Sequence, residues 1–142
     1  MRALLDVNVL IALLDSDHLH HARAMDWLMG NIADGWASCP LTQNGCIRIM
    51  SQPGYPGAVL PAVIAGRLAE ATATAHHVFW PDTVSLLAEG LIAWRSVLGS
   101  RQVTDVYLLA LAVQQGGRLV TLDRAVPLSA VSGAKAEHLV VI

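Results

Sequence analysis

Short apolar, β-forming runs recur along this chain, and each is separated from the next by a segment patterned for helix rather than by a tight turn. Residues 3–6, 35–39, 77–80, 118–121 and 138–142 read as strands. Strands that are not joined by hairpins need long crossovers, and crossovers make neighbours parallel. A parallel sheet is buried on both faces by the helices it alternates with. The expected fold is therefore α/β, an α/β/α sandwich with a central parallel sheet, formed as a single domain over residues 1–142. In such sheets the functional crevice lies beyond the carboxyl ends of the strands.

The intervening segments carry the helical signals. A helix follows the first strand at once and runs to Leu14. A second spans about 19–29, amphipathic through Ala22, Met25, Leu28 and Met29. Pro40 stands where a first helical residue would and opens a helix to about Met50. Residues 51–57, with Pro53, Gly54, Pro56 and Gly57, form the clearest loop. Helices are expected over 59–72, over 84–98 with an interruption at Gly90, and over 104–115, the last closed by Gly116-Gly117.

Composition narrows the class. Apolar residues make up 54% of 142, far above the disordered range. The longest apolar stretches fall well short of the ~20 residues that cross a bilayer, and Arg2 and Asp6 interrupt any signal-peptide apolar region. A soluble cytoplasmic protein without membrane association is expected. The net charge of −2 offers nucleic acid no bulk attraction. Of nine cationic side chains, however, only Lys135 is a lysine, and arginine suits phosphate because its planar fork donates bidentately. Cys39 and Cys46 lack a Cys-x-x-Cys partner and read as buried free thiols.

Three aspartates stand in apolar company: Leu4-Leu5-Asp6-Val7, Val103-Thr104-Asp105-Val106 and Thr121-Leu122-Asp123. Burying an ionised carboxylate there is costly unless it is paired, hydrogen-bonded or metal-bound. Asp6 and Asp123 lie at or just past the carboxyl ends of predicted strands. Asp105 opens a helix that runs antiparallel to the next strand, so it starts at the same rim. Three converging carboxylates are the hard-oxygen set that Mg²⁺ or Mn²⁺ prefers, and Mg²⁺ keeps several waters, so few protein ligands suffice. Such an ion acidifies a water and offsets charge in phosphodiester hydrolysis. Two of the three also have a plainer reading, Asp105 as a first-turn carboxylate favoured by the helix dipole and Asp123 as part of a turn with Arg124. A charge ending a buried strand, as Asp6 does, has few structural uses.

These motifs resemble a known family. Leu-Leu-Asp-Val-Asn-Val-Leu-Ile at 4–11 is similar to the opening strand of the PIN domain, with its Asp-x-Asn. Residues 104–113 and 116–124 resemble its third and fourth acidic motifs, and residues 41–53 its second. The likeness covers nearly the whole chain, at the length of VapC-type toxins. It implies a PIN-like α/β/α sandwich and a Mg²⁺-dependent single-strand endoribonuclease that serves as the toxin of a toxin–antitoxin pair. Such a toxin is held inactive by a small cognate antitoxin and is often a homodimer. By motif match, Asp6, Asp105 and Asp123 carry over as metal or metal-water ligands, and Asn8 and Thr104 as groups that orient them. One departure matters: the second motif normally supplies a glutamate, and Gln43 stands there, carrying no negative charge and unable to act as a base.

Other motifs point elsewhere only weakly. Asp17-His18-Leu19-His20-His21 looks like a transition-metal cluster, yet no well-spaced acidic or Cys ligand completes it. Trp27, Trp36, Trp80 and Trp94 are scattered and read as core or dimer contacts rather than as a base-stacking platform. Neither Gly-rich nucleotide motif is present. Two alternatives stay open on the sequence: a PIN-type module that binds RNA or a protein without cutting, and a receiver-like signalling domain, which lacks an evident switch lysine.

Overall fold

A computed structural model covers Met1–Ile142. Five parallel strands form one sheet: β1 (Ala3–Leu5), β2 (Trp36–Ser38), β3 (His77–Phe79), β4 (Arg118–Thr121) and β5 (Leu139–Val141). Their order across the sheet is β3-β2-β1-β4-β5. The pleat sends alternate side chains to opposite faces, and the core divides accordingly. Leu4, Ala37 and Leu119, which are register partners, face one layer; Ala3, Leu5, Trp36 and Val120 face the other.

The second layer is built by α1 (Val7–Leu14), α2 (His21–Asn31), α3 (Pro40–Met50) and α4 (Pro61–Thr72). Asp6 caps α1, its carboxylate accepting from the Val7 N–H. Pro40 and Pro61 occupy first-turn positions of α3 and α4, where a missing N–H costs nothing. The helix expected from residue 19 begins at His21 instead. Asp15 Oδ1 accepts from Asp17 N and His18 Nδ1 from His20 N, which folds the intervening residues into turns.

The first layer is a single long helix, α5 (Gln102–Gln114), in which every residue from Asp105 to Ala112 is buried. That explains its weak amphipathic pattern: it is enclosed on all sides. After it the chain turns at Gly116 (φ 65°) into Gly117, where a Cβ would lie 2.6 Å from the Arg2 carbonyl oxygen and 2.7 Å from the Trp80 ring. Only glycine permits that approach of β4 to the first strand.

The helix expected over 84–98 does not form. The segment is a series of turns with one 3₁₀ turn at Trp94–Ser96, and Ile92 pairs with Val131 in an isolated antiparallel bridge. Gly90 adopts φ 73°, which no helix tolerates. Val84, Leu86, Leu91 and Val97 cover α5, whereas Leu87 and Leu98 point to solvent. The apolar residues are satisfied by irregular backbone laid over α5, so the local helical pattern loses. No helix of the chain is long and apolar enough to cross a membrane.

Candidate active site

The chain leaves β1 toward β2 and β3, then returns to β4 on the other side of β1. The sheet therefore reverses winding between β1 and β4, and sheets of this kind carry their functional site beyond the carboxyl ends at that reversal. Asp6 follows β1 directly, Asp123 lies two residues past β4, and Asp105 sits in the first turn of α5, which packs against both strands.

Thr121, the last residue of β4, ties the cluster together. Its hydroxyl donates to Asp6 Oδ2 (2.6 Å) and accepts from Asn8 Nδ2 (3.2 Å) and from the Asp123 backbone N–H (3.0 Å). Asn8 Oδ1 accepts from Leu122 N (3.1 Å), and Asp123 Oδ1 from Ala125 N (2.7 Å). Asn8, in the first turn of α1, thus clamps the loop that carries Asp123. Both Asp6 oxygens have donors, one from Val7 N at 2.7 Å. Asp105 differs: it is 7% exposed and its Oδ2 is buried without any partner.

The electrostatics follow from this crowding. Burial raises Asp6 above the ordinary carboxylate range; the Thr121 and Val7 hydrogen bonds oppose that, and the Asp123 charge adds to it. Asp105 is pushed up to about 6, first by burial and then by the charges of Asp6 and Asp123. Asp123 makes ionisation of Asp6 harder, and both make that of Asp105 harder, a cost that a cation between them removes.

Gln43 lies in the first turn of α3 and donates from Nε2 to Ser38 Oγ (3.0 Å), at the carboxyl end of β2, so it stands at the same rim. Ser38 also meets His77 Nε2 at 2.8 Å. Thr104 is exposed and makes no hydrogen bond to the carboxylates, so its neighbour Asp105 is positioned by the helix alone. Thr121, absent from the sequence-based candidates, is the hub. Its signal was its position two residues before Asp123, buried at the end of a strand. The His18–His21 segment forms no metal site, and as the side chains stand no group of three or more His, Cys, Asp or Glu, the three aspartates included, is placed to hold a metal ion.

The PIN domain as a family matches residues 3–133. The chain belongs to the PIN-domain family. Among its relatives, "Ribonuclease VapC44" of Mycobacterium tuberculosis is 53% identical over 139 residues, 98% of either chain. "Ribonuclease VapC39" of the same organism is 45% identical over 134 residues, covering 94% of this chain and 96% of its own. "Ribonuclease VapC29" is 42% identical over 123 residues, 87% of this chain and 86% of its own. These place the chain with the VapC-type PIN proteins, and the receiver-like alternative falls away.

Proposed function

We propose that this PIN protein is a metal-dependent endoribonuclease that hydrolyses RNA phosphodiester bonds and acts as the toxin of a toxin–antitoxin pair. The observation that carries the reading is the bare, buried Oδ2 of Asp105 beside two further carboxylates. An orphaned charge in a crevice is costly, and a divalent cation is the partner whose chemistry fits an all-oxygen donor set.

Asp6, Asp105 and Asp123 would hold that ion, their side chains drawn together by it and waters completing its shell, since as they stand the three are not grouped to hold one. Mg²⁺ accepts such wet sites, and Mn²⁺ fits the same donors. The bound ion supplies a more acidic water and offsets the charge that builds on the phosphate during cleavage. The chain's own groups do the positioning. Thr121 and the Val7 N–H fix the orientation of the Asp6 carboxylate, and Asn8 fixes the Asp123 loop. Gln43 offers a neutral amide at the rim. Arg101 and Arg124 flank Asp105 and Asp123 in sequence, are exposed, and take no part in the chain's ion pairs, which leaves them for RNA phosphates.

The protein would work in the cytoplasm with a small antitoxin as partner, and as a homodimer. Exposed Leu60 and Val63 at the start of α4 are apolar surface of the kind a subunit contact covers. Single-stranded RNA incubated with the purified chain should be cut with Mg²⁺ and left whole with EDTA, and Asp105→Asn should cut nothing. Cleavage that persists in EDTA overturns the metal reading. The neutral Gln43 favours one other reading, a module that binds RNA without cutting; RNA binding with no cleavage under any divalent ion would establish it.

A further inference from the structure

Next to Asp105, on the α5 side of the sheet, lies a cavity of about 400 Å³, within the roughly 300–1,000 Å³ of small-molecule sites. Leu41, Val84 and Leu86 supply apolar walls, and Thr104, next to Asp105, is shared by its rim. Besides Thr104, two polar side chains line it. Tyr107 is 8% exposed, and its buried hydroxyl lies beside the Asp82 carboxylate, within reach of a hydrogen bond to it. Asp82, in the loop just past β3, is exposed and forms no ion pair. Burial, then the nearby charge of Asp82 and a hydrogen bond to its carboxylate, push the Tyr107 phenol up to about 12, so the hydroxyl keeps its proton at any physiological pH.

We propose that this cavity is a nucleobase subsite that selects guanine in the RNA strand beside the bond that is cut. The proposal rests on the ribonuclease reading and adds a specificity to it. A carboxylate repels phosphate, so the cavity does not take backbone; apolar walls fit the faces of an unstacked base. The Asp82 carboxylate only accepts, with two oxygens side by side, and the Tyr107 hydroxyl beside it holds its orientation. Guanine's pairing edge presents the complement of such a carboxylate: N1–H and N2–H as adjacent donors. Adenine and cytosine offer one amino group beside a ring nitrogen acceptor, and uracil one N–H between two carbonyls. Either leaves Asp82 facing a lone pair.

The test uses short single-stranded RNAs differing at one position at a time, cut with Mg²⁺, and the same sequences as 2′-O-methyl strands bound in EDTA. The intact protein should prefer guanine over the other bases at one position near the cut by at least about tenfold, as a bidentate base contact does. Inosine, which lacks the N2 amino group, should lose much of that preference. Asp82→Asn and Asp82→Ala should level it in both cleavage and binding, and Tyr107→Phe should weaken it several-fold. Because Asp82 is exposed, its variants test the site without threatening the fold. Unchanged base preference in the Asp82 variants, or none in the intact protein, overturns the proposal. So does a change confined to inhibition by the antitoxin, which would assign the cavity to a protein partner. If no RNA is cut, the ribonuclease reading fails separately, while the 2′-O-methyl binding still reports on the cavity.

Discussion

At Asp105 a single carboxyl is held where its charge is penalised from three directions, by burial and by Asp6 and Asp123. Its proton leaves near pH 6 in the folded chain, against a usual value of 3.8. Between those values the folded chain keeps a proton that the unfolded chain has released. This group therefore costs stability fully above pH 6, and the cost fades as pH falls toward 4. Asp105→Asn should raise the metal-free unfolding free energy by about 1–3 kcal/mol at pH 7.5, with the gain over the parent shrinking at pH 5. Urea titrations in EDTA at the two pH values check the sign. The same substitution, and Asp6→Asn, should abolish Mg²⁺-dependent cleavage and growth inhibition; full activity in either variant would sink the proposed site. Gln43 tests the opposite lever. Gln43→Glu restores a negative charge at the rim and should tighten divalent-ion binding in calorimetry. Gln43→Ala should cost only about 1 kcal/mol, the worth of its hydrogen bond to Ser38. If Gln43→Ala is as inactive as Asp6→Asn, the amide takes part in the chemistry.

Among the elements, the contact that positions Asp6 is the crossing of α1 and α3. Gly45 of α3 is buried, and a Cβ there would lie 2.7 Å from Val7 Cγ2, one residue past the aspartate that caps α1. Alanine in a helix interior ordinarily gains up to about 1 kcal/mol over glycine, whereas forcing atoms into a packed contact costs about 1–3 kcal/mol. Overpacking should win. Gly45→Ala is expected to lower the melting temperature and, by shifting Val7 and the Asp6 cap, to reduce cleavage more than its stability loss explains. A melting temperature equal to or above the parent's would show that α3 can yield without disturbing α1. Gly30, where an added methyl would meet nothing within 4 Å, is the control: Gly30→Ala should stabilise.

For the molecule as a whole, the winding of the sheet sets a rim of carboxylates that no ion pair of the chain neutralises. A partner protein that inhibits this chain is expected to place an arginine there, pairing bidentately and excluding the metal. Its hold should then weaken at high salt, and an antitoxin variant without its basic tail should bind but inhibit poorly. Equal inhibition by the tailless form would rule the plugging out. The sequence by itself determined the strands, the parallel sheet and the rim on which Asp6, Asp105 and Asp123 meet, because those depend on short-range apolar pattern and on the rule that crossovers make neighbours parallel. Only the tertiary structure decided the rest. The 84–98 segment has local helical pattern, but Gly90 and the exposed flank of α5 draw it into turns that cover the core. Thr104 and Thr121 look alike in sequence, each near an aspartate; the reversal of winding between β1 and β4 points Thr121 at Asp6 and leaves Thr104 in solvent. Hydrogen bonds between residues more than a hundred positions apart are set by strand order, and strand order is a property of the packed sheet.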